Sequence, residues 1–101
     1  MAITSTVSAD GNQVTIYIQG RFDFSSHQEF RAAYEKLPKV PTHYRVDLQG
    51  ASYLDSSALG MLLLLRDFAG GDKSNIEIVN CSSDVKKILM ISNFEQLFTI
   101  H

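Results

Sequence analysis

The sequence predicts a single α/β domain: a small mixed β-sheet that opens with an antiparallel hairpin and carries packed helices. Three observations predict it. β-branched stretches flank a turn near the N-terminus, strand and helix patterns alternate from there to the C-terminus, and 101 residues, 45% of them hydrophobic, suffice for one core. Residues 1–101 are read as one domain, because no linker, low-complexity segment or internal repeat interrupts the pattern.

Residues 3–8 and 14–19 are the first two strands. They flank ADGNQ, in which Asp10-Gly11 tolerates positive φ, so a hairpin is expected. Val14, Ile16 and Ile18 share one face of the second strand, and Thr15, Tyr17 and Gln19 the other. In SSHQEFRAAYEKL, Ser26 and Glu29 have capping-box spacing, and Phe30, Ala33, Tyr34 and Leu37 recur at i, i+3, i+4 and i+7. That is an amphipathic helix, ended by Pro38 and Pro41. Residues 44–50 then read as a strand closing at Gly50, with Asp47 a strand-end or helix-interacting acid.

Residues 56–69 form the second helix, stopped by Gly70-Gly71. Its apolar positions run nearly all the way round, so it is expected to be covered on most sides, and Gly60 is expected to allow close helix packing. Residues 75–80 are a strand, 82–91 a third helix with Val85, Ile88 and Leu89 on one face, and LFTI at 97–100 a short last strand. The strand–helix–strand order from 44 to 80 implies a right-handed parallel crossover.

Composition removes several function classes. A formal net charge of −2 supplies no field for nucleic acid or an anionic bilayer. The N-terminus lacks the basic and apolar regions of a secretory signal, and the longest apolar run, Met61 to Leu65, falls far short of the roughly 18 residues of a membrane span. A soluble, cytoplasmic protein is expected. The single cysteine, Cys81, has no partner for a disulfide or a zinc pair and reads as a small hydrophobe. His27, His43 and His101 show no catalytic signature and read as a first-turn, a loop and a terminal residue. The Gly-Gly pair lacks the Lys and Ser/Thr of a P-loop, and no G-x-S-x-G elbow occurs. Neither an enzyme nor a cofactor or metal site is expected.

What remains is Asp55-Ser56-Ser57, an acid and two hydroxyls placed where a strand gives way to an apolar helix. Such residues cap helices, because a side-chain oxygen accepts from an orphan N–H of the first turn. The same junction lies at the carboxyl end of a parallel strand, where open α/β sheets present functional groups. A phosphoryl group added there brings roughly 1.5 to 2 negative charges to a helix start that partly stabilises an anion. The fold survives, while a partner fitted to a neutral serine meets repulsion and a desolvation cost.

These residues resemble those of the bacterial anti-sigma factor antagonists, small members of the STAS family. The resemblance runs through GRFDFSS, RVDLQGASYLDSSALGMLLLL and VKKILMISNFEQLFTI, and is most specific at Leu54-Asp55-Ser56-Ser57-Ala58-Leu59-Gly60. It implies partner switching: the unmodified antagonist binds an anti-sigma factor, in that family often itself a serine kinase, and so frees a sigma factor. Phosphorylation breaks the complex and a PP2C-type phosphatase restores it. By motif the acceptor is Ser56, with Asp55, Ser57 and Asp23 shaping the partner-binding surface; no nucleic acid or membrane takes part. Ser57 reads equally as a helix cap, and Asp23 as a solvated loop acid.

Two positions depart from the family pattern: Ala58 and Asn93 stand where Gly is common, and Asn also tolerates the left-handed conformation. The alternative is a ligand-sensing or scaffold STAS domain that binds an anion or nucleotide at the Asp55–Ser57 corner. The absence of a basic side chain from 51–65 speaks against it, Arg66 being the first.

Overall fold

The computed structural model describes residues 2–101. Five strands and three helices follow one another as β1 (Ala2–Val7), β2 (Gln13–Phe22), α1 (His27–Glu35), β3 (His43–Leu54), α2 (Ser56–Phe68), β4 (Ile76–Val79), α3 (Ser83–Ile91) and β5 (Thr99–Ile100). The strands form one sheet in sequence order, β1-β2-β3-β4-β5. β1 is antiparallel to β2; every later pair is parallel, as helical crossovers require.

The hairpin closes through Ser8 to Asn12, with Gly11 at φ 77° and the Asp10 carboxylate accepting from the Asn12 N–H at 3.0 Å. Alternation puts Val14, Ile16, Ile18, Tyr44, Val46, Leu48, Ile76 and Ile78 on one face, all buried. The helices complete the core there with Phe30, Tyr34, Ala58, Met61, Leu62, Leu65, Val85 and Leu89.

Both long parallel strands run past their expected ends, Gln19 and Gly50. β2 continues through Gly20, which takes φ 82°, to Phe22, and β3 continues through Gly50 to Leu54. The β2–β3 register slips between Tyr17 and Gln19 and again between Gly20 and Arg21, so the glycines mark irregularities inside the ladder. A Cβ on Gly50 would lie 2.8 Å from Gln19 Cγ. Close backbone approach, not strand termination, calls for glycine there.

Four local expectations are corrected. Asp47 lies within β3, accepting from the Gln49 N–H at 2.9 Å and from Asn80 Nδ2 at 3.0 Å, which ties β3 to the end of β4. His43 opens β3 instead of lying in a loop, and it and His101 both bond Glu77, at 3.1 Å each, with Arg45 Nε at 3.2 Å. Burial works to raise the Glu77 carboxyl, and these donors outweigh it, so the group sits below its ordinary range. Ser26 does not cap α1: it is fully buried without a side-chain capping bond, because a short 3₁₀ turn, Phe24–Ser26, leads into the helix and Asp23 caps that turn.

The fourth correction concerns α2. Ala58, Met61, Leu62 and Leu65 are buried, yet Gly60, Leu63, Leu64 and Phe68 are exposed. One side of an almost wholly apolar helix is therefore bare. Nothing lies within 4 Å of a Cβ built on Gly60, so it makes no close helix packing inside the chain. Gly60→Ala is expected to raise stability by up to about 1 kcal/mol, or about 4–8 °C in Tm, measured by thermal unfolding.

Gly70 and Gly71 end α2 as expected, at φ 118° and 61°, and Asn93 takes φ 61°. Ser82 caps α3, accepting from the Val85 N–H at 3.2 Å. No described helix is long and apolar enough to cross a membrane.

Candidate functional site

Two chain segments meet at the carboxyl ends of β2 and β3. The register pairs Arg21 with Tyr53 and Phe22 with Leu54, so Asp23 and Asp55 each follow the last paired residue of their strand. Phe22 and Leu54 are buried, which anchors both acids at the rim of the core. The two carboxylates are close enough for the Asp23 charge to work against ionisation of Asp55.

Each acid is nevertheless held ionised by local donors. Asp55 is the N-cap of α2, with extended backbone, and accepts from the Ser57 hydroxyl at 2.6 Å and the Ala58 N–H at 2.9 Å. The Ser57 hydroxyl is the largest cause that holds the Asp55 carboxyl below its ordinary range, followed by the Ala58 N–H. Asp23 accepts from the Ser25 hydroxyl and, at 3.0 Å, from the Ser25 N–H, and the hydroxyl leads in lowering its carboxyl. The cap is thus Asp55, and Ser57 orients it. Ser56, the first residue of α2, is left exposed on the outer side of the helix.

Linkage fixes the sign of the pH dependence. Because the folded Asp55 value is depressed, its contribution is present above the ordinary 3.8 and is lost as pH falls through the folded value. Asp55→Ala is expected to cost about 1 kcal/mol near neutral pH, and the gap from wild type narrows on acidification to about pH 3; urea unfolding at the two pH values measures both.

The structure brings together all four residues the sequence singled out, Asp23, Asp55, Ser56 and Ser57, and adds Arg21, Tyr53, Phe24 and His27. The Arg21 guanidinium lies 4.2 Å from the Tyr53 ring centroid, with Nε 3.6 Å from Asp23 Oδ2. Phe24 is 71% exposed and stacks on His27, with ring centroids 5.6 Å apart. A basic group therefore does reach the corner, from β2 across the ladder and not from 51–65. Strand pairing, invisible in the local sequence, delivers it.

The family model described as Mlab, STAS domain, matches residues 5–99. The chain belongs to the STAS domain family. This STAS domain is 65% identical over 100 residues to a STAS-domain containing protein of Pseudomonas aeruginosa, covering 99% of each chain. Its fold is similar to that of the Bacillus cell fate determinant SpoIIAA in the phosphorylated form, with a TM-score of 0.72 at 18% identity over 99% of this chain and 91% of that one. It is also similar to the STAS domain of a SulP transporter from Vibrio cholerae, with a TM-score of 0.67 at 16% identity over 93% of this chain and 76% of that one. At such identities the STAS fold is common to all three, and function has to be argued from the corner's own residues.

Proposed function

We propose that this STAS domain is a phosphorylation-controlled partner switch: with Ser56 unmodified it binds an anti-sigma factor and so releases a sigma factor, and phosphorylation of Ser56 ends the binding. The observation that carries the reading is the exposure of Ser56 at the first turn of α2, beside two carboxylates held ionised, while Ser57 is engaged by Asp55. A serine kinase has access to it. In the transfer the Ser56 oxygen forms a bond to the γ-phosphorus of ATP as the bond to ADP breaks and the hydroxyl proton leaves. A PP2C-type phosphatase reverses the state by hydrolysis.

The surroundings suit a protein partner. Phe24 beside the corner, and Leu63 and Leu64 on the outer side of α2, place exposed apolar area around a polar centre, the composition of a binding surface. Gly60, one turn beyond Ser56 and without a packing role inside the chain, leaves room for a partner to approach the helix. The likeness to SpoIIAA in a phosphorylated form agrees with a fold that tolerates the modification.

The anion-binding alternative is disfavoured, because the Ala58 N–H and the Ser57 hydroxyl at the helix start already serve Asp55. Binding assays of wild type, Ser56→Ala and Ser56→Asp against the anti-sigma factor test the proposal. Retained binding by Ser56→Ala with loss by Ser56→Asp supports it; equal affinities contradict it.

A further inference from the structure

A phosphoryl group on Ser56 would enter a corner short of positive charge. Asp55 and Asp23 both carry negative charge there, and the Ala58 N–H is already directed at Asp55. The Leu59 N–H donates to the Asp55 carbonyl at 3.1 Å. Several of the chain's cations are committed elsewhere: Arg31 to Glu35, Arg45 to Glu77, Arg66 to Asp72 and Lys39 to the Asp10 carbonyl. The His27 ring is stacked on Phe24.

Arg21 differs from these. Its partner at the corner, Asp23, lies at a loose 3.6 Å, its other contact is the face of Tyr53, and its side chain is 64% exposed. The Asp23 oxygen it faces, Oδ2, is not the one that takes the Ser25 hydroxyl and N–H, so Asp23 keeps both those donors if Arg21 departs. A guanidinium held weakly beside a carboxylate exchanges readily for a phosphate, which carries more charge and accepts its paired N–H groups.

We propose that Arg21 is the counter-charge of phosphorylated Ser56: on modification its guanidinium leaves Asp23 and the Tyr53 ring for the phosphoryl oxygens. The inference rests on the reading of Ser56 as the modified residue. The consequence is that modification changes the partner surface twice. The serine gains a bulky anion, and the Arg21–Tyr53–Asp23 rim loses its arrangement while the fold stays as it is. Arg21 is then a positioning residue of the modified state, with no required role in holding the unmodified domain together.

The test uses the full chain with phosphoserine installed at position 56 during translation, so that it needs no kinase. Phosphorus NMR follows the second ionisation of the phosphate in three backgrounds. A nearby guanidinium favours the dianion, so Arg21→Gln is expected to raise the phosphate pKa by about half a unit, and Arg21→Lys to restore part of the shift. The Tyr53 ring resonances are expected to move on phosphoserine incorporation in the Arg21 protein and to respond less in Arg21→Gln. Amide spectra of the variants confirm the fold. Superimposable phosphate titrations for Arg21 and Arg21→Gln overturn the inference. A cell-derived protein that never carries phosphate at Ser56 contradicts the switch itself and leaves these titrations unchanged, so the two failures are separable.

Discussion

Ser56→Asp is expected to bind the anti-sigma factor at least about 30-fold more weakly than wild type, while Ser56→Ala retains wild-type affinity within a few-fold. The magnitude follows from burying at an interface a charge for which the partner has no counter-charge, which costs about 2–5 kcal/mol. The existing acids set the direction. A third negative group beside Asp55 and Asp23 is opposed by both, and a partner shaped to a hydroxyl supplies no counter-charge. Phosphoserine, with close to two charges and three acceptor oxygens, is expected to exceed the aspartate effect. Because Ser56 is exposed at the first turn of α2, the thermal stability of both variants is expected to stay near wild type. Calorimetric titration with paired thermal melts measures both quantities. Lost binding accompanied by a large fall in Tm would assign the effect to folding instead of the switch.

Phe30→Ala is expected to destabilise the domain by about 3–5 kcal/mol, which is much of the total stability of a domain this size. Phe30 is fully buried, its ring centroid 5.1 Å from that of Phe22 and 5.6 Å from that of Tyr34, and Tyr34 in turn lies 5.1 Å from Phe68 on α2. This aromatic chain joins α1, the end of β2 and α2. Phe22 immediately precedes Asp23 and pairs in register with Leu54, which precedes Asp55. Loss of the Phe30 ring therefore loosens the corner as well as the core. Urea unfolding is expected to show the loss in midpoint, and amide exchange to show it earliest at the β2 and β3 ends.

The element order was legible because the local signals agreed: Gly70-Gly71 closed α2, and Val14, Ile16 and Ile18 marked the buried face of β2. Gly50 misled, since a glycine that ends a strand and one inside an irregular ladder look alike until the neighbouring strand is placed. The bare side of α2 was hidden for a related reason. Hydropathy reports that a residue favours burial, not whether its own chain supplies the cover. At the corner, Asp55, Ser56 and Ser57 were readable as a local triplet, and Asp23 through the resemblance. Arg21 was not, because its place opposite Tyr53 is fixed by strand register across more than thirty residues. His43 and His101 meet Glu77 through the same nonlocal pairing.

The most direct test of the switch is peptide mass mapping of the protein purified from its native cells, with and without serine-phosphatase treatment. A phosphatase-sensitive increment of one phosphoryl group is expected on the peptide containing Ser56, localised to Ser56 and not to Ser57. A peptide that stays unmodified across growth conditions, with Ser56 also refractory to candidate serine kinases, would rule out the switch and leave the Asp-Ser-Ser corner as a helix cap.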